Sequence, residues 1–522
     1  MNIGLIPAKY AALTPSRVAL VDAASSARIS FAQLDEQVRR SANALLGLGA
    51  KKGDRIAVLA GNAAEHMILF FACARVGLII QPLNWRLAAT ELVRILDDSE
   101  PFVVITQDRF ATLACVLERD SKAPKHWLKF GSQSDGSYES LLRTAPITEP
   151  QLTDLVSGND ASYILYTGGT TGQSKGVLHS HRTTFNSIVN NTVGETITSR
   201  DIYMLTGQLF HSAAILAVSY LAHGCTVVLM NFEPKLAMEL IHKERVTVFM
   251  GITTMLNWMM TVENFESYDI SCLRHIMYGG GPLPASVVRE AITKFHCNFI
   301  GVFGQTEGNT MTFLGYQDHI DALAGKHPER LNSCGREAFL STIEIRDEQG
   351  ALIPPGSDNV GEVFVRSPAN MIEYWRKPDL TGRTVVDGWM STGDLARWDE
   401  ERYVFIVDRA KDMIISGGEN IYSSQVEEAI HRHPAVLEAA VIGVPHDEWG
   451  EEVAAYVVLK QGMLASDADI INTARMHLAS YQKPRIVRFV TELPKAPTGK
   501  ILKRVLREQH SLVEGSSVLS DR

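Results

Sequence analysis

Tyr166-Thr167-Gly168-Gly169-Thr170-Thr171-Gly172-Gln173-Ser174-Lys175-Gly176 follows an apolar run, Tyr163-Ile164-Leu165, that reads as a strand. Four glycines, four hydroxyl side chains besides the tyrosine and one lysine stand in these eleven residues. Such a loop can fold around a polyphosphate. Glycines let backbone N–H groups reach the oxygens, hydroxyls add donors, and the lysine supplies fixed positive charge. It is not a Walker loop, which needs Gly-Lys followed by Ser or Thr, because Lys175 lies between Ser174 and Gly176. Alone, such a stretch reads equally as a surface turn, so its meaning rests on the chain around it.

On both sides, strand-like runs alternate with helical periodicity. Upstream, Phe31 to Leu48 puts Leu34, Val38, Ala42, Leu45 and Leu46 on one helical side, and Ala64 to Val76 and Ala89 to Leu96 are further helices. Arg55 to Ala60, Leu78 to Gln81 and Phe102 to Thr106 read as strands. Residues 116 to 150 are polar and irregular, and read as a linker or surface excursion. Downstream, helices over Thr183 to Val193, Pro234 to Glu244 and Thr253 to Met260 alternate with strands over Asp201 to Leu205, Thr226 to Met230 and Val246 to Met250. Strands at His275 to Tyr278 and Asn298 to Val302 run into Gly279-Gly280-Gly281-Pro282 and Phe303-Gly304-Gln305-Thr306-Glu307-Gly308. Open α/β sheets bind ligands at loops of this placement.

Strand–helix–strand order predicts an α/β chain of stacked βα subdomains with parallel sheets. Residues 335 to 408 change to short strand-like runs with Gly/Pro/Asp turns, a β-rich subdomain. A compact α+β unit begins near Lys411. There Ser424-Gln425-Val426-Glu427 has the form of a capping box at a helix start, and Ile501 to Glu508 reads as a basic helix.

Composition narrows the class. The chain has 522 residues, 45% hydrophobic and 21% charged, as in ordinary globular proteins. A net charge of -9, without a block of like charges, argues against a nucleic-acid surface. The six cysteines make no CxxC pair and suggest neither a zinc site nor a disulfide framework, so a reducing cytoplasm fits best. Residues 1 to 20 lack the continuous apolar core of a signal peptide, and the stretch Met67 to Ile80 is too short to span a bilayer. Peripheral membrane contact and a homodimer stay open.

Several further stretches carry chemistry, each with an ordinary alternative. Glu307, after a strand, is a carboxylate of the kind Mg²⁺ takes together with phosphate oxygens and water; otherwise it is a solvated glutamate. Asp394, in Ser391-Thr392-Gly393-Asp394, can accept both hydroxyls of a ribose, or simply close an Asp/Gly turn. Asp408-Arg409-Ala410-Lys411-Asp412, followed by Ser416-Gly417-Gly418-Glu419-Asn420, is a charged junction between subdomains. Lys500 ends the loop Pro494-Lys495-Ala496-Pro497-Thr498-Gly499-Lys500, where a surface lysine is the commoner outcome. His211 follows an apolar strand, where histidines are more often packed than catalytic. His431 and His433 flank Arg432 at a helix end and read as surface residues.

In this order and spacing, the motifs resemble the acyl-adenylate-forming (AMP-forming) superfamily, in its acyl-CoA synthetase and fatty-acid–CoA ligase branch. The likeness covers essentially the whole chain. The loop is similar to the family's Tyr-Thr-Ser-Gly-Thr-Thr-Gly-x-Pro-Lys-Gly, with Gly168 where serine is usual and Ser174 where proline is usual. Phe303 replaces a common tyrosine, and Ser423 and Gln425 replace the usual Pro and Glu after Gly417-Gly418-Glu419-Asn420-Ile421, with Ser424 left as a cap.

The resemblance implies an N-terminal adenylation domain over 1–408, a hinge at 409–412 and a small mobile C-terminal domain over 413–522. It implies an AMP-forming acid–thiol ligase using ATP, Mg²⁺ and coenzyme A. A carboxylate attacks the α-phosphorus of ATP to give acyl-AMP and pyrophosphate, and a thiol then displaces AMP. Lys500, Glu307, Thr167 and His211 stand as catalytic residues, with Glu307 and Thr167 toward the metal. Thr167, Gly168, Gly169, Thr170, Thr171, Gly172 and Lys175 would hold the β- and γ-phosphates. Gly279, Gly280, Gly281 and Phe303 would frame the adenine, and Asp394 and Arg409 the ribose. Gly304, Gln305, Thr306 and Ile406 complete the nucleotide contacts. Lys411 is the hinge residue, and Gly417 and Gly418 approach the thiol tunnel.

Amino-acid-activating members carry Asp just after the Phe where this chain has His211, which points toward fatty or aryl acids instead. The acyl-lining segments supply Phe210, Ala213, Ala214, Ile215, Met250, Ile252, Met255, Met311 and Phe313, with no Arg or Lys among them. An apolar carboxylic acid is expected, a medium- or long-chain fatty acid first. An aryl acid, or a carrier protein in place of free CoA, is the alternative.

Overall fold

The computed structural model describes residues 1–131, 137–167, 174–280, 283–495 and 501–512, and the backbone of 513–517. These residues form two compact units. One comprises Met1–Ile343 with Val365–Met390, the other Glu344–Phe364 with the described chain from Ser391 on.

Among the described residues, the first unit holds a seven-stranded and a nine-stranded sheet. The seven-stranded sheet runs Glu373–Tyr374, Lys175–Ser180, Ala161–Thr167, Ile79–Pro82, Arg55–Leu59, Val103–Gln107, His126–Phe130. The nine-stranded sheet runs Arg336–Glu337, Asn309–Leu314, Asn298–Gln305, His275–Gly279, Val248–Met250, Ile202–Leu205, Thr226–Leu229, Val18–Asp22, Arg28–Ser30. Central pairs of both sheets are parallel; antiparallel pairs stand at both edges of the nine-stranded sheet and at the Glu373–Tyr374 edge of the seven-stranded one. This is the α/β architecture that the strand–helix alternation predicts.

Helices fill the space between the sheets. The Phe31–Gly47 helix opens on a capping box, Ser30 with Gln33, and buries Leu34, Val38, Ala42 and Leu45 along one face. The Ala64–Val76 helix is apolar all round because it is covered all round. It lies in the largest core with residues of both sheets, and ends at Gly77, whose φ of 75° suits glycine. Outer faces are covered by Ala89–Ser99 on one sheet and by Pro234–Glu244, Thr253–Met260 and Ala285–Phe295 on the other.

One expectation fails here. The described residues of 116–150 are not an irregular linker or surface excursion but carry regular elements. Ala111–Asp120 is a helix, His126–Phe130 pairs in parallel with Val103–Gln107, and Tyr138–Thr144 is a further helix. The strand was hard to read because it is a sheet edge burying only Leu128 and Phe130 of its five residues.

The second unit carries a strand set ordered Thr342–Arg346, Gly361–Arg366, Trp389–Trp398, with Val404–Arg409 paired to the last. Its other sheet orders Glu419–Ile421, Ile414–Ser416, Gly450–Leu459, Val436–His446, with Ile486–Phe489 alongside Gly450–Leu459. Helices Ser423–His431 and Asp467–Arg475 pack on one face of that sheet, and Leu506 of the helix Lys503–Ser517 on the other.

The capping box expected at Ser424 does not form. The Ser423–His431 helix begins two residues earlier, with Tyr422 in the cap position, and Tyr422 makes no side-chain cap. Asp408 supplies the cap from outside: its Oδ2 accepts from Ser423 N at 2.5 Å, Ser423 Oγ at 2.6 Å and Ser424 N at 3.4 Å. Ser424 Oγ donates to the Val407 carbonyl, and Glu427 accepts from Val441 N at 2.8 Å, so neither side chain can close the box.

Candidate active site

Of the residues singled out in the first unit, the described ones end or follow its strands. Thr167 closes the strand Ala161–Thr167 and lies opposite Lys175 in the antiparallel pair. Gly168, Gly169, Thr170, Thr171 and Gly172 lie outside the described residues, as do Gly281 and Lys500. Past the loop, Ser174 N–H donates to Glu91 Oε1 at 3.2 Å. Before it, Tyr166 OH donates to Asp98 Oδ2 at 2.6 Å.

Glu307 stands in the turn between Asn298–Gln305 and Asn309–Leu314. Buried groups from the neighbouring sheet hold that turn. His179 bonds the Thr306 carbonyl through Nε2 at 2.8 Å, and Tyr163, stacked on His179 at 4.8 Å, donates to Asn309 Oδ1 at 3.2 Å. Burial pushes His179 down to about 4, so the ring is neutral and donates one proton. Glu307 itself accepts from Tyr374 OH at 2.8 Å, and its carbonyl accepts from Met371 N at 2.7 Å. Tyr374 also lies under Lys175, whose Nζ is 4.3 Å from the ring centre.

Gly279 ends its strand where a Cβ would come within 2.2 Å of the Val302 carbonyl oxygen, so only glycine lets the two strands approach. Gly280 follows at φ +77°. Phe303, half-buried, opposes Thr312, and the register shifts between Phe303 and Gly304 just before Gln305 and Thr306.

His211 sits at the start of the acyl-side segment. Burial, with Arg86 adding to it, pushes it down to about 4, so it is a neutral imidazole. Ala213, Ala214 and Ile215 belong to one core, with Met250 and Phe313 packed against it. Phe313 lies on Gly194, where a Cβ would come within 2.3 Å of the ring. Met311 is buried beside Gly308 instead, and Ile252 and Met255 are half-buried around the start of the Thr253–Met260 helix. Phe210 meets Trp85 edge-on at 5.9 Å, and Arg86 and Arg109 lie over that indole at 5.0 and 5.6 Å. Sequence reasoning missed these two arginines because they come from a turn and a short 3-10 helix far from Phe210 in the chain.

In the second unit, Asp394 is buried and pairs with Arg409 across adjacent strands, as an ion pair and in register. Ile406 faces Ala396 on the same pair of strands. Lys411 is exposed. Gly417 and Gly418 take φ +60° and +85° in a hairpin, and a Cβ on Gly417 would strike the Trp449 ring at 2.8 Å. His431 is exposed and His433 half-exposed, and among the described residues no group of three or more His, Cys, Asp or Glu could hold a metal. Among the described residues, Glu307 therefore belongs to no such group. Such a carboxylate suits Mg²⁺ carried on phosphates and water rather than a resident metal centre.

The AMP-binding enzyme family model matches residues 8–375, and the model for the AMP-binding enzyme C-terminal domain matches residues 425–500. The chain belongs to the AMP-binding enzyme family. The long-chain-fatty-acid–CoA ligase FadD13 of Mycobacterium tuberculosis is 34% identical over 98% of this chain and 99% of its own. A feruloyl-CoA synthase of Amycolatopsis is 32% identical over 97% and 99%. ATP-bound MatB of Rhodopseudomonas palustris has a similar fold, at TM-score 0.86 and 29% identity over 98% and 99% of the two chains. This AMP-binding enzyme is an ATP-dependent acid–CoA ligase that works through an acyl-adenylate, taking a small-molecule carboxylic acid, ATP and CoA. Among its described residues, no helix is long and apolar enough to cross a membrane.

Proposed function

We propose that this ligase activates an apolar carboxylic acid, a medium- or long-chain fatty acid first and an aryl acid second. The observation that carries this reading is His211, half-buried and held neutral where an amino-acid-activating member would keep a carboxylate for the substrate's ammonium. The apolar core around Ala213–Ile215, Met250 and Phe313 adjoins it.

In the proposed reaction the chain's own residues do three things. Lys175 and Thr167 hold the β- and γ-phosphates, Gly279, Gly280 and Phe303 bound the adenine, and Asp394 with Arg409 holds the ribose. Glu307 would hold Mg²⁺, which when bound neutralises phosphate charge. Lys500 screens the approach of carboxylate to α-phosphorus, two anions that otherwise repel, and stabilises charge on the transferring group. Residues 409–412 act as the hinge by which residues 413–522 withdraw Lys500 after adenylation and present Gly417 and Gly418 to the thiol.

The test measures pyrophosphate release across a panel of alkyl, ring, aryl and amino acids, with CoA present and absent. Alkyl or aryl acids are expected to turn over, and amino acids are not; turnover limited to amino acids sinks the reading. In the same assay Lys500→Ala should abolish acyl-AMP formation yet still form thioester from supplied acyl-AMP. Normal adenylation by that variant removes Lys500 from its role.

A further inference from the structure

Tyr374 lies 67 residues from Glu307 in sequence, and no motif points to it. It belongs to the two-residue strand Glu373–Tyr374, which pairs with the strand that begins at Lys175, with Tyr374 opposite Val177. The side chain is 3% exposed and packs with Val177 and Met371. Packing explains the ring but not the hydroxyl, since phenylalanine would fill the same volume. The hydroxyl donates to Glu307 Oε1 at 2.8 Å, while the ring face carries the Lys175 ammonium at 4.3 Å. Two backbone bonds fix the segment: Met371 N donates to the Glu307 carbonyl at 2.7 Å, and Tyr374 N to Thr381 Oγ1 at 2.9 Å.

We propose that Tyr374 is a positioning residue that sets the Glu307 carboxylate and the Lys175 ammonium relative to each other for the metal–nucleotide complex. A carboxylate held at one oxygen by a neutral donor keeps a single orientation in which to offer the other to a cation. An ammonium on an aromatic face is held without giving up its charge. One side chain thus ties the carboxylate of one sheet to the phosphate-loop lysine of the other. The inference rests on the reading of Glu307 and Lys175 as the metal and phosphate residues.

The experiment titrates full-length protein with ATP, once in Mg²⁺ and once in EDTA, and takes the ratio of the two Kd values as the metal dependence. Tyr374→Phe keeps the ring and removes the donor; Tyr374→Leu removes both. Tyr374→Phe is expected to lower the ratio about fivefold, the order of one hydrogen bond to a charged group, with the EDTA Kd unchanged. Added to Glu307→Gln it should lower the ratio no further. Tyr374→Leu should also weaken ATP binding in EDTA, about threefold or more, through Lys175. A lesion of packing alone would shift both Kd values together and leave the ratio as it was. If Glu307→Gln lowers the ratio and Tyr374→Phe does not, the positioning role is overturned. If Glu307→Gln itself leaves the ratio unchanged, the assignment of Glu307 fails first and this proposal falls with it.

Discussion

Two serines stand where the resembled family carries proline, and both use the backbone N–H that proline lacks. Ser174 N–H reaches Glu91, at the end of the glycine-rich stretch. Ser423 N–H and Oγ reach Asp408, just ahead of the proposed hinge, and Lys503 Nζ joins the same hydroxyl at 2.5 Å and the half-buried Glu427 at 2.8 Å. The departures therefore add anchors rather than only relaxing the turns. Proline fits the first turn of a helix, so Ser423→Pro should lose these bonds without backbone strain. Its expected effect is a loss of about 1–3 kcal/mol in denaturant unfolding, with Ser423→Ala losing less. Wild-type stability in Ser423→Pro would mean that Asp408 does not hold the helix. Lys175 and Glu307 stood out in the sequence because the roles proposed for them go with fixed neighbours in the chain. Tyr374 and Asp408 were not, because each acts on a partner that only folding brings near.

The helix His181–Gly194 shows how an element carries a cost within its packing. Glu195 caps its end, fully buried, and accepts from Tyr220 OH at 2.9 Å; Tyr220 stacks on Tyr203 at 4.4 Å. Burial pushes the Glu195 carboxyl up to about 8, so at neutral pH the fold holds it protonated. A folded pKa raised above the unfolded value of 4.5 gives a contribution that is present below pH 4.5 and lost as pH rises through 8. Glu195→Gln should therefore match wild type near pH 5 and gain on it between pH 5 and 8, by up to about 1.4 kcal/mol per pH unit. A constant difference across that range, read from unfolding curves, would place the charge elsewhere. Long elements with one face buried, such as Phe31–Gly47, were legible in the sequence. The edge strand His126–Phe130 was not, because a lightly buried edge shows little period-two pattern.

At the scale of the whole molecule, buried neutral histidines set an acid limit. His66, His179, His181 and His211 are pushed down to about 4 and His275 to about 3, burial being the first cause in each. His181 shows the structural reason, since its Nδ1 accepts from Ile3 N at 3.2 Å and a proton there would break the bond. Unfolded, these rings titrate near 6.5, so below that pH the unfolded chain takes up protons the fold excludes. The melting temperature should fall steeply from pH 6.5 toward 4, and His181→Asn should flatten that slope. A flat profile over this range would show that the rings are solvated.

The sequence by itself determined the α/β class, the order of the motifs and the reaction they serve. Strand periodicity, glycine after strands and charged residues at fixed spacing are local properties of a chain. Tertiary structure alone decided which carboxylate caps the Ser423 helix, which tyrosine joins Glu307 to Lys175, and which histidines are held neutral. Those depend on burial and on partners from other parts of the chain, and neither is a property of any single stretch.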